Sequence, residues 1–520
     1  MFWRYFHTLI HLKTIQIVFQ LYYKLRNTLR KKRAFKYKYT FYKKGNALSF
    51  SEDSPKAYES YSFQNNKHSF SFLNLNADFE NINWDYPAHG KLWTYNLNYF
   101  DFLNQANISK EEGLKLMEDF IPQLSHLKNA NEPYPISLRG INWIKFLSKH
   151  KISSKEIDES LYSQYLILLD NLEFHLLGNH LLENAFSLFI GGKYFNDDKL
   201  TQTGFQLMTK ELREQILKDG AHFELSPMYH QILLHRLLDC FSIANNKEKA
   251  TLKPVCEKMC AWLKAISLQN GDIPLLNDAA KKIAADSNSL FKYAKDLNIE
   301  IKNQLLKDSG YRKFIVNNTE MIMDVGVIGP DYIPGHAHAD ILNFVLYDNG
   351  EPIIVDSGIS TYEKNERRQN ERSTFSHNTV EVNGKNQVDV WGGFRVGKRA
   401  KVTLSEDSFN KISASHKGYK SEGVIHERTW SNDGKSFQIK DTLRGKNVSS
   451  KAYFHLSSSY QAKQFGNLIS INNWTLHFTN AKNIYLQPFA YAEEFNKLIE
   501  GTVAVVEFEG SLLTSLNKVN

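Results

Sequence analysis

Cysteine is scarce in this chain. The three present, Cys240, Cys256 and Cys260, cannot build a disulfide framework, and the last two stand at i,i+4 in a helix-like segment, so they read as buried thiols. Long apolar runs are missing too. The longest, between Lys13 and Lys24, is broken by Gln16 and Gln20 and falls far below the roughly 20 residues that cross a bilayer, so no transmembrane helix is expected. His7, His11 and Lys13 interrupt the apolar start, and no small-residue cleavage site follows, which argues against a secretory signal peptide. Acidic residues are absent from the first 44 positions, which hold 12 Lys and Arg. The whole chain is +8, so everything beyond that segment is slightly acidic. A globally basic body that binds nucleic acid is therefore excluded, and any anion site must be local.

What the chain does have is globular. Hydrophobic residues at 42% and charged residues at 23% exclude disorder and collagen-like structure, and 520 residues suffice for several domains. Aromatics reach 13%, a surplus that suits stacking on sugar rings and also large cores. Residues 1–50 read as a basic helix and arm, running into Arg30-Lys31-Lys32-Arg33, that suits an anionic membrane surface or a polyanion, or is simply solvated. From about 105 to 307 apolar residues recur at helical spacing, as in Leu161 to Leu177 and Ile232 to Ala244, which predicts an array of paired helices. After about 310 the period becomes two, with Asn, Asp and Gly turns, as in Met321 to Val325, Asn343 to Tyr347 and Trp474 to Phe478. The expected architecture is α+β, with a helical domain over 51–309 and a sheet domain over 310–520. The cleft between them is the default site.

Gly335-His336-Ala337-His338-Ala339-Asp340 is the most informative segment. Read as an extended lead-in to a strand, it places His336, His338 and Asp340 on one face. Asp356 ends the apolar run Pro352-Ile-Ile-Val, where an acid needs a hydrogen bond or a cation. With His377 it joins His338 in a candidate three-ligand zinc set, or else in a metal-free hydrogen-bonded network. In the helical part, Asn179 and His180 fall at a helix start, where Asn also serves as a cap. Ser226-Pro227 reads as a cap followed by Pro at the first helical position, which puts Tyr229 and His230 at the positive end of a helix dipole.

These segments resemble the heparinase II/III family of polysaccharide lyases. Besides those quoted, the resemblance rests on Trp93-Thr-Tyr-Asn-Leu-Asn-Tyr-Phe-Asp, Ser137-Leu-Arg-Gly-Ile-Asn-Trp-Ile, Gly178-Asn-His-Leu-Leu-Glu-Asn-Ala, Phe223-Glu-Leu-Ser-Pro-Met-Tyr-His, Val355-Asp-Ser-Gly and Ser376-His-Asn-Thr-Val. It implies an incomplete α/α toroid followed by an antiparallel β-sandwich domain, with an anionic polysaccharide in the cleft. It implies Tyr229 as catalytic tyrosine, His336 as catalytic histidine, and Asn179 with His180 facing the uronate carboxylate. His338, Asp356 and His377 become ligands of a structural zinc, as in some members. The family is commonly periplasmic or in the cell envelope, although this chain shows no convincing export signal.

The chemistry explains the residue types. Removing the C5 proton of a uronate builds charge on its carboxylate, which a neighbouring donor offsets. A base takes that proton, and an acid protonates the departing O4. A tyrosine can do both if its proton shuttles and neighbouring cations lower its pKa from about 10, so Tyr229 is expected as acid and also base, with His336 as second base or stabiliser and Asn179 as carboxylate neutraliser. Arg367 and Arg372, with Arg368 between them, precede His377 and suit substrate anions. Arg139, Asn96 and Tyr99 suit sugar contacts. Two other readings are a non-catalytic polysaccharide-binding or assembly protein and a zinc hydrolase. Against the hydrolase, Ile341 stands where its His-x-His-x-Asp pattern would continue with histidine.

Overall fold

A computed structural model describes residues 2–519. Helices α1 (Phe2–Leu9) and α2 (Thr14–Lys32) open the chain. An extended strap follows and crosses the helical unit. Its backbone N–H groups donate to side chains of that unit: Phe41 to Ser163, Gly45 to Asp158 and Leu48 to Ser148. A small antiparallel sheet comes next, β1 (Tyr61–Gln64), β2 (Lys67–Phe72) and β3 (Leu75–Phe79). These strands fall in a stretch where the sequence predicts only the helical domain.

The toroid is built from α3 (Gly90–Tyr99), α4 (Lys110–Gln123), α5 (Pro133–Lys149), α6 (Lys155–Asp170), α7 (Gly178–Phe195), α8 (Asp198–Gln215), α9 (Pro227–Ile243), α10 (Asn246–Ile266) and α11 (Ser287–Asp296). Ser109, Ser154, Asp197, Ser226, Asn245 and Asp286 cap six of these by accepting from a backbone N–H, which satisfies donors that helix ends leave free. Helix α7 is apolar almost all round, the pattern of a fully surrounded helix, and it packs on α5, α8 and α9. Gly192 makes the α8 contact close, since a Cβ there would stand 2.3 Å from the Thr201 nitrogen. Cys240, Cys256 and Cys260 are free and buried in this core, as the sequence reading expected.

The sheet unit begins at β4 (Tyr311–Val316) and β5 (Thr319–Asp324), followed by β6 (Phe344–Asp348) and β7 (Glu351–Ile354). A short helix α12 (Glu366–Glu371) precedes β8 (Val380–Val382), and the ribbon β9 (Val390–Trp391) and β10 (Arg395–Val396) returns to the cleft. Strands β11 (Val402–Asp407), β12 (Lys411–His416), β13 (Val424–Asn432), β14 (Phe437–Gly445) and β15 (Ser450–Leu456) then lead to the hairpin β16 (Ala462–Phe465) and β17 (Leu468–Ile471). The long pair β18 (Trp474–Glu494) and β19 (Lys497–Lys518) closes the chain. The pairing is antiparallel and runs continuously from β11 to β4 through β19 and β15. The sheet thus curls around its own core, which includes Phe344, Trp430, Phe454 and Leu516. Period-two burial is plain in β13 and β14, the mark of a strand with one face in a core.

Inside this sheet Arg428 is fully buried. Its guanidinium binds Asp441 at 2.7 and 3.0 Å and the carbonyls of Leu342 and Asn378. Burial alone would raise the Asp441 carboxyl, but Arg428 and His426 hold it down at about 2. Its charge therefore stabilises the fold fully above the unfolded carboxyl range near 4 and loses that effect as pH falls toward 2. Asp441→Ala leaves Arg428 buried without its partner, and a loss of about 3–5 kcal/mol is expected. Thermal unfolding followed by circular dichroism reads this as a lowered midpoint at pH 7 that narrows toward the wild type at the acid end.

Candidate active site and metal centre

A cleft of about 1290 Å³ lies between the helical and sheet units, and Asn179, His180 and Tyr229 line it from one side, His336 and Tyr362 from the other. Basic side chains outnumber acidic ones on its walls, with Lys91, Arg236, Lys281, Arg395 and Arg399 among them.

Tyr229 stands in the first turn of α9, where Ser226 caps the helix and Pro227 opens it. Its ring stacks on His336 at a centroid distance of 3.9 Å, and its hydroxyl is 3.1 Å from that of Tyr362. The expectation that cations lower this phenol is overturned. Desolvation pushes it well above 10, and Asp278 and Glu224 add to the rise, against opposition from the Tyr362 hydrogen bond and Arg368. The dipole of α9 is outweighed, and the group rests as a neutral phenol.

His336 is held at Nδ1 and only loosely approached at Nε2. Nδ1 lies 2.9 Å from Asp278, while Nε2 lies 3.3 Å from Glu224 and 3.5 Å from the Asn179 amide. Asn179 does not cap α7. The residue before the helix, Leu177, makes no side-chain cap and sits at φ 65°. Glu224 takes the capping role from outside, accepting from the Asn179 backbone at 2.9 Å and from its side chain at 2.8 Å, which places a carboxylate at the positive end of α7. Gly178, at φ +58°, makes room, since a Cβ there would lie 2.5 Å from Glu224.

His180 keeps a third of its side chain exposed, with Nδ1 3.1 Å from Glu173. Burial would lower this imidazole, but Glu173 raises it above its ordinary value. One turn further along α7, Glu183 is buried beside Arg236 at 3.8 Å, and neither of its carboxylate oxygens has a hydrogen-bond partner. Burial pushes it up to about 7.

The segment from Gly335 to Asp340 is a series of turns, not an extended strand, and β6 starts only at Phe344. Its histidines therefore diverge, His336 into the cleft and His338 into the interior, while Asp340 is buried. What joins the two histidines is Asp278, which the sequence reading missed. One carboxylate oxygen lies 2.9 Å from His336 Nδ1, the other 2.9 Å from His338 Nε2, and Arg368 grips both at 2.5 and 2.8 Å. Burial would raise Asp278, but Arg368 and the two imidazoles hold it well below the usual carboxylate range. The signal that flagged Asp356, an acid directly after an apolar run, is absent here, because Asn277 separates Asp278 from Ile273-Pro-Leu-Leu.

His338, Asp356 and His377 converge, with one donor atom from each within 4.8 Å of the others. His377 Nδ1 lies 2.9 Å from Asp356, which also accepts from Asn343 at 2.6 Å. His338 Nδ1 and His377 Nε2 are buried without any hydrogen-bond partner, an unfavourable state for a polar atom. Burial pushes His338 down to about 4, so at neutral pH its lone pair is free. Two imidazoles and a carboxylate, one imidazole oriented by a further carboxylate, fit a divalent cation.

Other expected contacts are corrected. Arg139 is fully buried, bonded to Gln164 and to the carbonyls of Asn98 and Ala130, and is absent from the cleft walls. Arg372 is buried too and bonds the Ala337 carbonyl, steadying the histidine loop. Arg367 pairs with Glu371 and the Ala490 carbonyl away from the cleft. Asn96 and Tyr99 do line the cleft.

The fold and site define a two-unit protein in which a helical toroid and a curled antiparallel sheet share a basic cleft, with a tyrosine from one half stacked on a histidine from the other. Family models described as Heparinase II/III N-terminus and Heparinase II/III-like, C-terminal match residues 10–307 and 302–516. The chain belongs to the heparinase II/III family. A heparin-sulfate lyase of Bacteroides stercoris is 24% identical over 379 residues, 65% of this chain and 55% of that protein. Another from Pedobacter heparinus is 27% identical over 246 residues, covering 41% and 37%. The chain thus spans little more than half the length of the first relative. The crystal structure of heparinase III superposes with a TM-score of 0.68 at 18% identity over 85% of this chain and 80% of that one, and a heparan sulfate lyase from Pedobacter heparinus with 0.56 at 20% identity over 85% and 79%. These likenesses establish the fold.

Because Glu173 is the carboxylate that raises His180, Glu173→Gln is expected to lower the His180 titration midpoint. Histidine NMR across pH 5 to 9 checks this, and an unchanged midpoint would refute the assigned cause.

Proposed function

We propose that the protein is a polysaccharide lyase that cleaves a uronic-acid-containing anionic polysaccharide by β-elimination. The observation that carries this reading is the stack of Tyr229 on His336 across the cleft, with the Asn179 amide 3.5 Å from the same imidazole. Asn179 and the cationic form of His180 face the uronate carboxylate and offset the charge that grows there as the C5 proton leaves. His336, oriented by Asp278, takes that proton. The electron pair of the C5–H bond becomes the C4–C5 double bond, the C4–O bond breaks, and Tyr229 donates its proton to the departing oxygen. A phenol that keeps its proton at neutral pH suits the acid role. The basic walls suit a polyanion, and Asn96 and Tyr99 lie where further sugar units would pass.

His338, Asp356 and His377 would hold a divalent cation, zinc by the chemistry of the donors. When bound it supplies a structural cross-link, tying the histidine loop to the strand end at Asp356 and to the segment before β8. The cell envelope, where such polymers occur, is the proposed location.

Incubation with heparan sulfate, hyaluronan, alginate and bacterial exopolysaccharides, with the ultraviolet absorbance of the unsaturated product as readout, tests the reaction. Absorbance should rise on at least one uronate polymer. New reducing ends without absorbance would indicate hydrolysis, and binding without cleavage would indicate an assembly role. Tyr229→Phe is expected to lower turnover by about 10²–10⁴-fold with binding retained, and Asn179→Ala by about 10²–10³-fold. Metal analysis should find one zinc per chain, and its removal by chelation should lower the thermal midpoint of the sheet unit.

A further inference from the structure

Helix α2 has two apolar faces, and only one of them is covered. The inner face packs on the helical unit. Gln16 donates to the carbonyls of Leu176 and Tyr332, and Tyr23 donates to that of Leu172. Phe19 lies against Phe174 at 4.6 Å, and Arg26 and Arg30 pair with Asp170. On the other side Ile17, Val18, Leu21, Tyr22, Leu25 and Leu29 each have a partner three or four residues away in the set, and each is 43 to 64% exposed. At 100° per residue they form a continuous stripe along the helix. A surface helix ordinarily puts polar residues there, and an exposed apolar patch of this extent marks an interaction surface. Phe6 and Leu9 on α1 and Ile10 just after it are similarly exposed.

The charge around the stripe narrows the choice of partner. The chain has no acidic residue before Glu52. Among the described residues, Lys24, Lys31, Lys32, Arg33, Lys36 and Lys38 make no ion pair, whereas Arg26, Arg30 and Lys43 are taken up by Asp170 and Asp197. A second copy docking on this face would set cation against cation. A soluble polyanion would satisfy the cations and leave the apolar stripe in water. An interface of anionic lipid satisfies both, taking the apolar side chains at the acyl boundary and the lysines and arginines among the headgroups. No helix of the described residues is long and apolar enough to cross a membrane, so α2 would lie flat. Its ties to Asp170, Leu172 and Leu176 keep the stripe displayed.

We propose that α1 and α2 form a docking face for an anionic membrane surface. Tyr5, Thr8, Leu9, Leu12, Gln16 and Gln20 also line one end of the cleft, so docking seats that end of the cleft beside the bilayer. The enzyme would then act on polyanions at or near a membrane.

Co-sedimentation of the full chain with phosphatidylcholine vesicles, with and without phosphatidylglycerol, tests this. The chain should bind the anionic vesicles, bind neutral ones far more weakly, and be released by salt. Val18→Ser, Leu21→Ser and Leu25→Ser combined, all at exposed positions, should weaken binding at least tenfold with an unchanged circular dichroism spectrum. Lys31→Glu, Lys32→Glu and Arg33→Glu combined should weaken it by roughly a hundredfold. The proposal is overturned if wild-type chain stays in the supernatant with anionic vesicles at low salt. It is equally overturned if the apolar triple variant binds as wild type, or if light scattering shows a dimer that this variant dissolves while no vesicle binding occurs. None of the substituted residues lines the cleft, so cleavage of a soluble polymer should be unchanged, and failure of the lyase reading would leave the vesicle result standing.

Discussion

The buried carboxylate of Asp278 is the contact on which the site depends. Four groups meet there: the acid itself, which is fully buried, the imidazoles of His336 and His338, and the guanidinium of Arg368. An isolated buried carboxylate would be strongly unfavourable, and a close, bidentate arginine compensates for that desolvation. Its two oxygens serve different ends. One fixes the ring that faces the cleft, and the other fixes a ring of the metal triad. A displacement of the loop before α11 would therefore be felt in both places.

The helical wall follows a similar logic with a different acid. Glu224 lies in the loop before α9, yet it holds the start of α7 and the Asn179 amide and approaches His336. The chain meets it with two successive residues at positive φ, Leu177 and Gly178. Leucine is strained there, and such strain persists only where surrounding contacts over-determine the backbone. The result is a rigid amide beside an oriented imidazole, with the partly buried Tyr229 stacked on it. These are the conditions for stabilising charge that appears only during a reaction.

Much of this was legible in the chain because the signals were local. Ser226-Pro227 predicts the start of α9 and hence the placing of Tyr229, and an acid after an apolar run points to Asp356. The resemblance supplied the pairing of Tyr229 with His336 and Asn179. Asp278, Tyr362 and the capping role of Glu224 went unread because each acts across a long sequence separation and makes no local pattern. Arg139 and Arg372 misled for the opposite reason. An arginine in a polar-looking stretch reads as a surface group, but these two are consumed by backbone carbonyls inside the fold. The strands at 61–79 do alternate, as in Leu75-Asn-Ala-Asp-Phe, but each is only four to six residues long, too short to stand out from the helical domain that follows.

The sequence by itself determined the order of helices and strands, the family, and the residue types able to move a proton or bind a cation. Those depend on periodicity, capping and spacing, which are properties of neighbours along the chain. The tertiary structure decided which side chains are buried together. It lifted the Tyr229 phenol instead of lowering it and turned His336 and His338 away from each other. It also left one face of α2 uncovered. Burial and the distances between charges set all three outcomes, and neither exists until distant segments pack together.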